Sequence, residues 1–107
     1  MTLNEYQTAA MATAIYPPEA AIVYPTLGLS GEAGEVSEKV KKVLRDDGGD
    51  FSRKRAEIAK ELSDVLWYAA AVARDLGYTL QEIADINLTK LASRAERGVL
   101  NGSGDNR

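Results

Sequence analysis

Apolar residues recur along this chain mostly with the period of an α-helix, and the breaks in that pattern divide it into four segments. Leu3, Tyr6 and Ala10 mark one side of a short, Ala-rich helix over 3–13. Tyr16-Pro17-Pro18 stops it, because neither proline can donate a helical hydrogen bond. Residues 20–24 read as an added helical turn before Pro25. Pro25 suits the first turn of a second helix running to about Arg45, with Leu29, Val36, Val40 and Val43 on one stripe. The Asp/Gly run over 46–50 is a loop. Ser52 is the expected cap of a third helix, which runs to Leu76 and closes at Gly77; its apolar stripe is Ile58, Leu62, Val65, Ala69 and Leu76. Thr79-Leu-Gln-Glu82 is a capping box for a fourth helix ending near Gly98, with Ala84, Leu88, Leu91 and Ala95 on its stripe. No stretch alternates as a strand does. The expected fold is all-α, a four-helix bundle-like protomer in one domain over 1–98. The polar tail, 99–107, is expected to be mobile, since Asn101 to Arg107 carry no apolar side chain.

One segment departs from simple amphipathicity. From Val65 to Ala73 the third helix is apolar nearly all round, with Trp67 roughly opposite the core stripe. An isolated four-helix unit would leave Trp67 exposed, which points to a subunit interface.

Composition narrows the chemistry. The chain has neither cysteine nor histidine, which removes disulfides, thiolate or imidazole metal sites and histidine-activated nucleophiles. Any metal must be held by oxygen alone, which favours Mg²⁺ or Mn²⁺. A net charge of −3 argues against a nucleic acid polymer as partner. No apolar run reaches the ~18 residues of a membrane helix, and the N-terminus lacks the apolar core of a secretion signal. A cytoplasmic protein with no membrane partner is expected.

Two carboxylate pairs stand out. Glu32 and Glu35 lie one turn apart on the second helix, and Glu61 and Asp64 one turn apart on the third. At ~100° per residue, each pair falls roughly 60° and 120° to the same side of its apolar stripe, with Lys39 and Lys42 continuing the first flank and Tyr68 the second. Sixteen acidic residues in 107 yield roughly two such spacings by chance, so either pair alone says little. Facing pairs would differ, because carboxylates ~5 Å apart repel by roughly 3 kcal/mol at an effective dielectric of ~20 and call for a cation. On the fourth helix Asn87, Lys90 and Arg94 share a stripe beside the apolar face, suited to neutralising a polyphosphate from the side opposite a metal. Gly28, Gly31 and Gly34 recur every third residue, and Gly34, between the glutamates, would let a ligand or helix approach the backbone.

Together these words resemble the MazG-like all-α nucleoside triphosphate pyrophosphohydrolases. The likeness rests on Glu32-x-x-Glu35, then 25 residues, then Glu61-x-x-Asp64. Around them stand Leu29-Ser-Gly-Glu-Ala-Gly-Glu35, Glu61-Leu-Ser-Asp-Val-Leu-Trp-Tyr68, Asn87-Leu-Thr-Lys-Leu91 and Arg94 through Gly98. The resemblance implies Mg²⁺ ligation by Glu32, Glu35, Glu61 and Asp64, and substrate contacts at Asn87, Lys90 and Arg94. It also implies a homodimer or a dimer of dimers. The expected activity is Mg²⁺-dependent hydrolysis of a nucleoside triphosphate at its α–β phosphoanhydride, giving monophosphate and pyrophosphate, as in nucleotide-pool housecleaning. Lys90 and Arg94, joined by Lys39 or Lys42, would neutralise the charge on the pyrophosphate leaving group, and Tyr68 is a candidate to stack on the base. A narrower substrate, a pyrimidine deoxynucleotide or phosphoribosyl-ATP, and a non-catalytic nucleotide-binding dimer are the alternatives.

Overall fold

The computed structural model describes all 107 residues. It is entirely helical: α1 (Leu3–Met11), a 3₁₀ turn (Pro18–Ala20), α2 (Val23–Asp46), α3 (Arg55–Asp75) and α4 (Leu80–Arg97). None of these helices is long and apolar enough to cross a membrane. The helix-period reading of the sequence therefore holds for all four helices, and the ends show what local chemistry adds. α1 and α4 both open on a capping box: Thr2 and Thr79 accept from the amides of Glu5 and Glu82, whose carboxylates bond back to the cap amides. α3 does not begin at Ser52. The Asp50 carboxylate takes the Ser52 amide at 2.9 Å, and the Phe51 carbonyl then accepts from Lys54 and Arg55, so the helix starts only at Arg55. Its far end is a Schellman turn, with Gly77 at φ 87° and bonds from Gly77 to Arg74 and from Tyr78 to Ala73.

α2 and α3 form a long antiparallel hairpin, the dominant contact of the fold. The start of α2 departs from expectation. Residues 20–24 do not form one helical turn: the 3₁₀ turn ends at Ala20, α2 begins at Val23, and between them Ile22 has φ 68°, a conformation that a β-branched residue rarely adopts. The Asp75 carboxylate, in the last turn of α3, holds it there by accepting from the Ile22 amide at 3.0 Å and from the Tyr16 hydroxyl at 2.7 Å. Burial pushes that carboxyl up, but the bonds from Ile22, Tyr16 and Arg74 outweigh it and leave it below the usual carboxylate range.

α1 packs across α3, and the first turn of α4 closes against both. The buried Gln7 side chain joins the three, donating to the carbonyls of Ala70 (3.1 Å) and Tyr78 (3.3 Å) and accepting from the Leu80 amide (3.0 Å). Trp67 is not left bare as expected. Its Nε1 donates to Ala10 O (3.1 Å) and Thr13 Oγ1 (2.9 Å), so α1 covers the ring's edge. Within one protomer α1 thus covers the Trp67 side of the all-round apolar stretch of α3.

The stripe read as the core of α3 is instead largely open. Ala70, Ala71 and Ala73 are buried, while Leu62 is 57% exposed and lines an apolar hollow of about 480 Å³ with Ala59, Ser63, Val65, Leu66 and Ala69. Leu88 and Leu91 of α4 are likewise exposed. Only nine residues are buried in all, and the chain exposes 7418 Å², against about 5,800 Å² for a typical folded monomer of this mass.

Candidate active site

Halfway along the hairpin, α2 and α3 bring three carboxylates together. Glu32, Glu61 and Asp64 each offer an oxygen, and the three lie within 4.8 Å of one another. The register follows from the two helices running antiparallel with acidic residues on flanks of the same hand. Glu35 lies one turn further along α2, exposed and outside this trio, although its charge still reaches Glu32. Partial burial, followed by the charges of Asp64 and Glu61, raises the Glu32 carboxyl above its ordinary value. Such crowding is what an oxygen-ligated divalent cation relieves, and three anionic oxygens form a suitable donor set for Mg²⁺ or Mn²⁺.

One lysine already touches the cluster. Lys39 Nζ stands 3.8 Å from Glu61 Oε1 and 4.0 Å from Glu57 Oε2. It also lines a hollow of about 190 Å³ at the loop end of the hairpin, together with Lys42, Arg53, Lys54 and three acids. Lys39 and Lys42 thus lead from the carboxylates into a basic recess.

On the other side, Glu32 and Asp64 share a cavity of about 300 Å³ with Trp67 and Tyr68. The two rings meet edge to face, with centroids 5.0 Å apart. Trp67 therefore forms part of this wall. Its position three residues after Asp64 places the two about 60° apart on α3, a signal available in the sequence. Tyr6 of α1 is a further neighbour, its hydroxyl raised by burial and by the Asp64 charge. The close approach of backbone sits at Gly28 rather than Gly34: a Cβ at Gly28 would overlap the Tyr68 ring, whereas Gly31 and Gly34 face open space.

Asn87, Lys90 and Arg94 are not gathered to the acidic cluster within one protomer. Asn87 lines an apolar hollow with Leu3, Leu66, Leu80, Ile83 and Ala84, and no cavity is shared by this stripe and the carboxylates. Leu66 and Asp64 point about 160° apart around α3, so the first turns of α4 and the acidic cluster occupy opposite flanks. Lys90 and Arg94 instead hold Asp105 of the polar tail, each at 3.1 Å.

The chain is 46% identical over 114 aligned residues to the Gene 37 protein of Mycobacterium phage L5, and the alignment takes in all of both chains. No solved structure matches it. The model of the MazG nucleotide pyrophosphohydrolase domain matches residues 25–99, a span that holds both carboxylate pairs, the aromatic wall and the polar stripe of α4. With most of its length inside that match, the chain belongs to the MazG nucleotide pyrophosphohydrolase family.

Proposed function

We propose that this chain hydrolyses nucleoside triphosphates at the α–β phosphoanhydride to monophosphate and pyrophosphate, in the cytoplasmic nucleotide pool, using Mg²⁺, with Mn²⁺ as a substitute. The observation that carries this reading is the meeting of three carboxylates from two helices between an aromatic cavity and a basic recess. Glu32, Glu61 and Asp64 would hold the cation, with Glu35 within reach to join them. When bound, Mg²⁺ supplies charge neutralisation at the phosphate oxygens and makes water a better nucleophile. The protein's part is positional. Trp67 and Tyr68 offer faces on which a base can stack. Lys39, with Lys42 behind it, receives the negative charge that develops on the pyrophosphate leaving group. One of the glutamates would accept the proton of the attacking water. Asn87, Lys90 and Arg94 reach a substrate only from a second copy.

The same reading includes self-association as a dimer or dimer of dimers. The support is the open stripe of α3 and the exposed leucines of α4, surface that an 11.5 kDa monomer ordinarily buries.

A panel of common and damaged nucleoside triphosphates, with pyrimidine deoxynucleotides and phosphoribosyl-ATP included, assayed for monophosphate and pyrophosphate with and without Mg²⁺, tests the activity. Release of pyrophosphate only with metal is expected. Metal binding without release from any substrate would instead mark a nucleotide-binding module.

The cluster also sets a pH dependence. A carboxyl raised above its unfolded value, as Glu32 is, binds its proton more tightly in the folded chain. It therefore supports the fold at low pH and withdraws that support as pH rises through its folded value. A bound cation reverses the effect by neutralising the same charges. Mg²⁺ should raise the melting temperature more at pH 8 than at pH 5, read by calorimetry; equal shifts at both pH values would remove this cluster as the metal site.

A further inference from the structure

The tail's grip on α4 has the form of an occupied anion site. Arg94 is 7% exposed, and the acceptors on its guanidinium both come from the tail: Asp105 Oδ1 at 3.1 Å and Gly104 O at 3.5 Å. Lys90 Nζ donates to the same Asp105 oxygen at 3.1 Å. One carboxylate oxygen thus serves two cations, while only one of the three guanidinium nitrogens is bonded. A phosphate group, with more oxygens and more charge, would use these donors more fully. Little else fastens the tail. Arg107 donates to the carbonyls of Val99 and Gly104, and Asp105 is itself largely exposed. Its pair with Lys90 is of the exposed kind that contributes little and opens readily, whereas the pair with Arg94 is buried on the arginine side.

We propose that Lys90 and Arg94 form a binding site for phosphate-class anions that the chain's own Asp105 fills, so that tail and anion exclude one another. The tail is then an internal competitor, and the site opens by release of residues 104–107 from α4. Hydrogen bonds from Lys90 and Arg94 hold the Asp105 carboxyl below its usual range. Within one protomer this site lies away from the carboxylate trio. Its ligand is therefore either free pyrophosphate or the terminal phosphates of a nucleotide bound to a second copy.

The test uses the full chain in metal-free buffer at fixed ionic strength, with inorganic pyrophosphate as the probe. Calorimetry reads affinity, while amide and arginine side-chain NMR signals of Arg94, Gly104 and Asp105 report the tail. Pyrophosphate should shift all three residues. Asp105→Asn should bind it about five- to tenfold more tightly, because the competing charge is gone, and Arg94→Gln should lose the binding. A non-hydrolysable nucleoside triphosphate, titrated in the same way, separates the two sources by its affinity relative to pyrophosphate. Unchanged or weaker binding by Asp105→Asn, or tail signals that stay still as pyrophosphate binds, would overturn the proposal. Because no metal is present and no turnover is read, that result would leave the hydrolysis reading untouched.

Discussion

Glu61→Gln is expected to cut pyrophosphate release by at least about a hundredfold at saturating Mg²⁺ while leaving the helical circular dichroism intact. Glu61 is one of only three carboxylates whose oxygens converge, and it is the one that Lys39 approaches at 3.8 Å. Glutamine keeps the shape but supplies a neutral oxygen, so the cation loses a third of the charge that holds it. Lys39 loses its orienting partner in the same step. The fold should not suffer, because the substitution removes a member of a crowded acidic group; the melting temperature without metal should stay level or rise. Full activity in this variant would sink the assignment of the site.

Leu62→Glu is expected to do the opposite: to spare the chemistry of the carboxylates and disrupt the assembly. In a lone protomer Leu62 is 57% exposed, and a substitution at such a position ordinarily changes stability by no more than about 0.5 kcal/mol. If the open face of α3 is covered by a second copy, the same change buries a charge in an apolar seam. It then forfeits the burial of a leucine, at a combined cost of roughly 3 kcal/mol or more for each occurrence. Sedimentation should show monomers where the parent chain is associated, with a melting temperature that falls and depends on protein concentration. A variant as associated and as stable as the parent would place the interface elsewhere.

How much of this was legible depends on what kind of contact makes each feature. Helices announce themselves by period, and the Thr79 capping box by four residues of local chemistry. Thr2 and Glu5 carry the identical signature at the start of α1. Ser52 has the residue type of a cap, but the chain closes a turn on the Phe51 carbonyl first and α3 begins without a side-chain cap at Arg55, a choice between neighbouring turns that composition alone does not rank. The carboxylate trio was half visible, since spacing places residues on a flank but does not choose which oxygens meet; Glu35 has the same spacing as the rest and stands apart. Trp67 and the stripe of α3 were read with the faces reversed. Periodicity identifies an apolar face without saying whether the chain itself or something else covers it. The capture of Lys90 and Arg94 by Asp105 left no trace in any pattern, because a helix meeting a short polar tail has no repeat to detect.

The bond from Ile22 to Asp75 has a bearing on metal geometry. It fastens the start of α2 to the end of α3, at the end of the hairpin opposite the 47–54 connection. The two helices are therefore pinned at both extremities, and the carboxylates sit between the pins. Sliding one helix past the other by a single residue means a shift of about 1.5 Å, whereas ligand distances around a bound cation tolerate only about 0.2 Å. The strained joint acts as a register lock. It keeps the spacing of the three carboxylates a property of the hairpin itself, whatever happens at its outer faces.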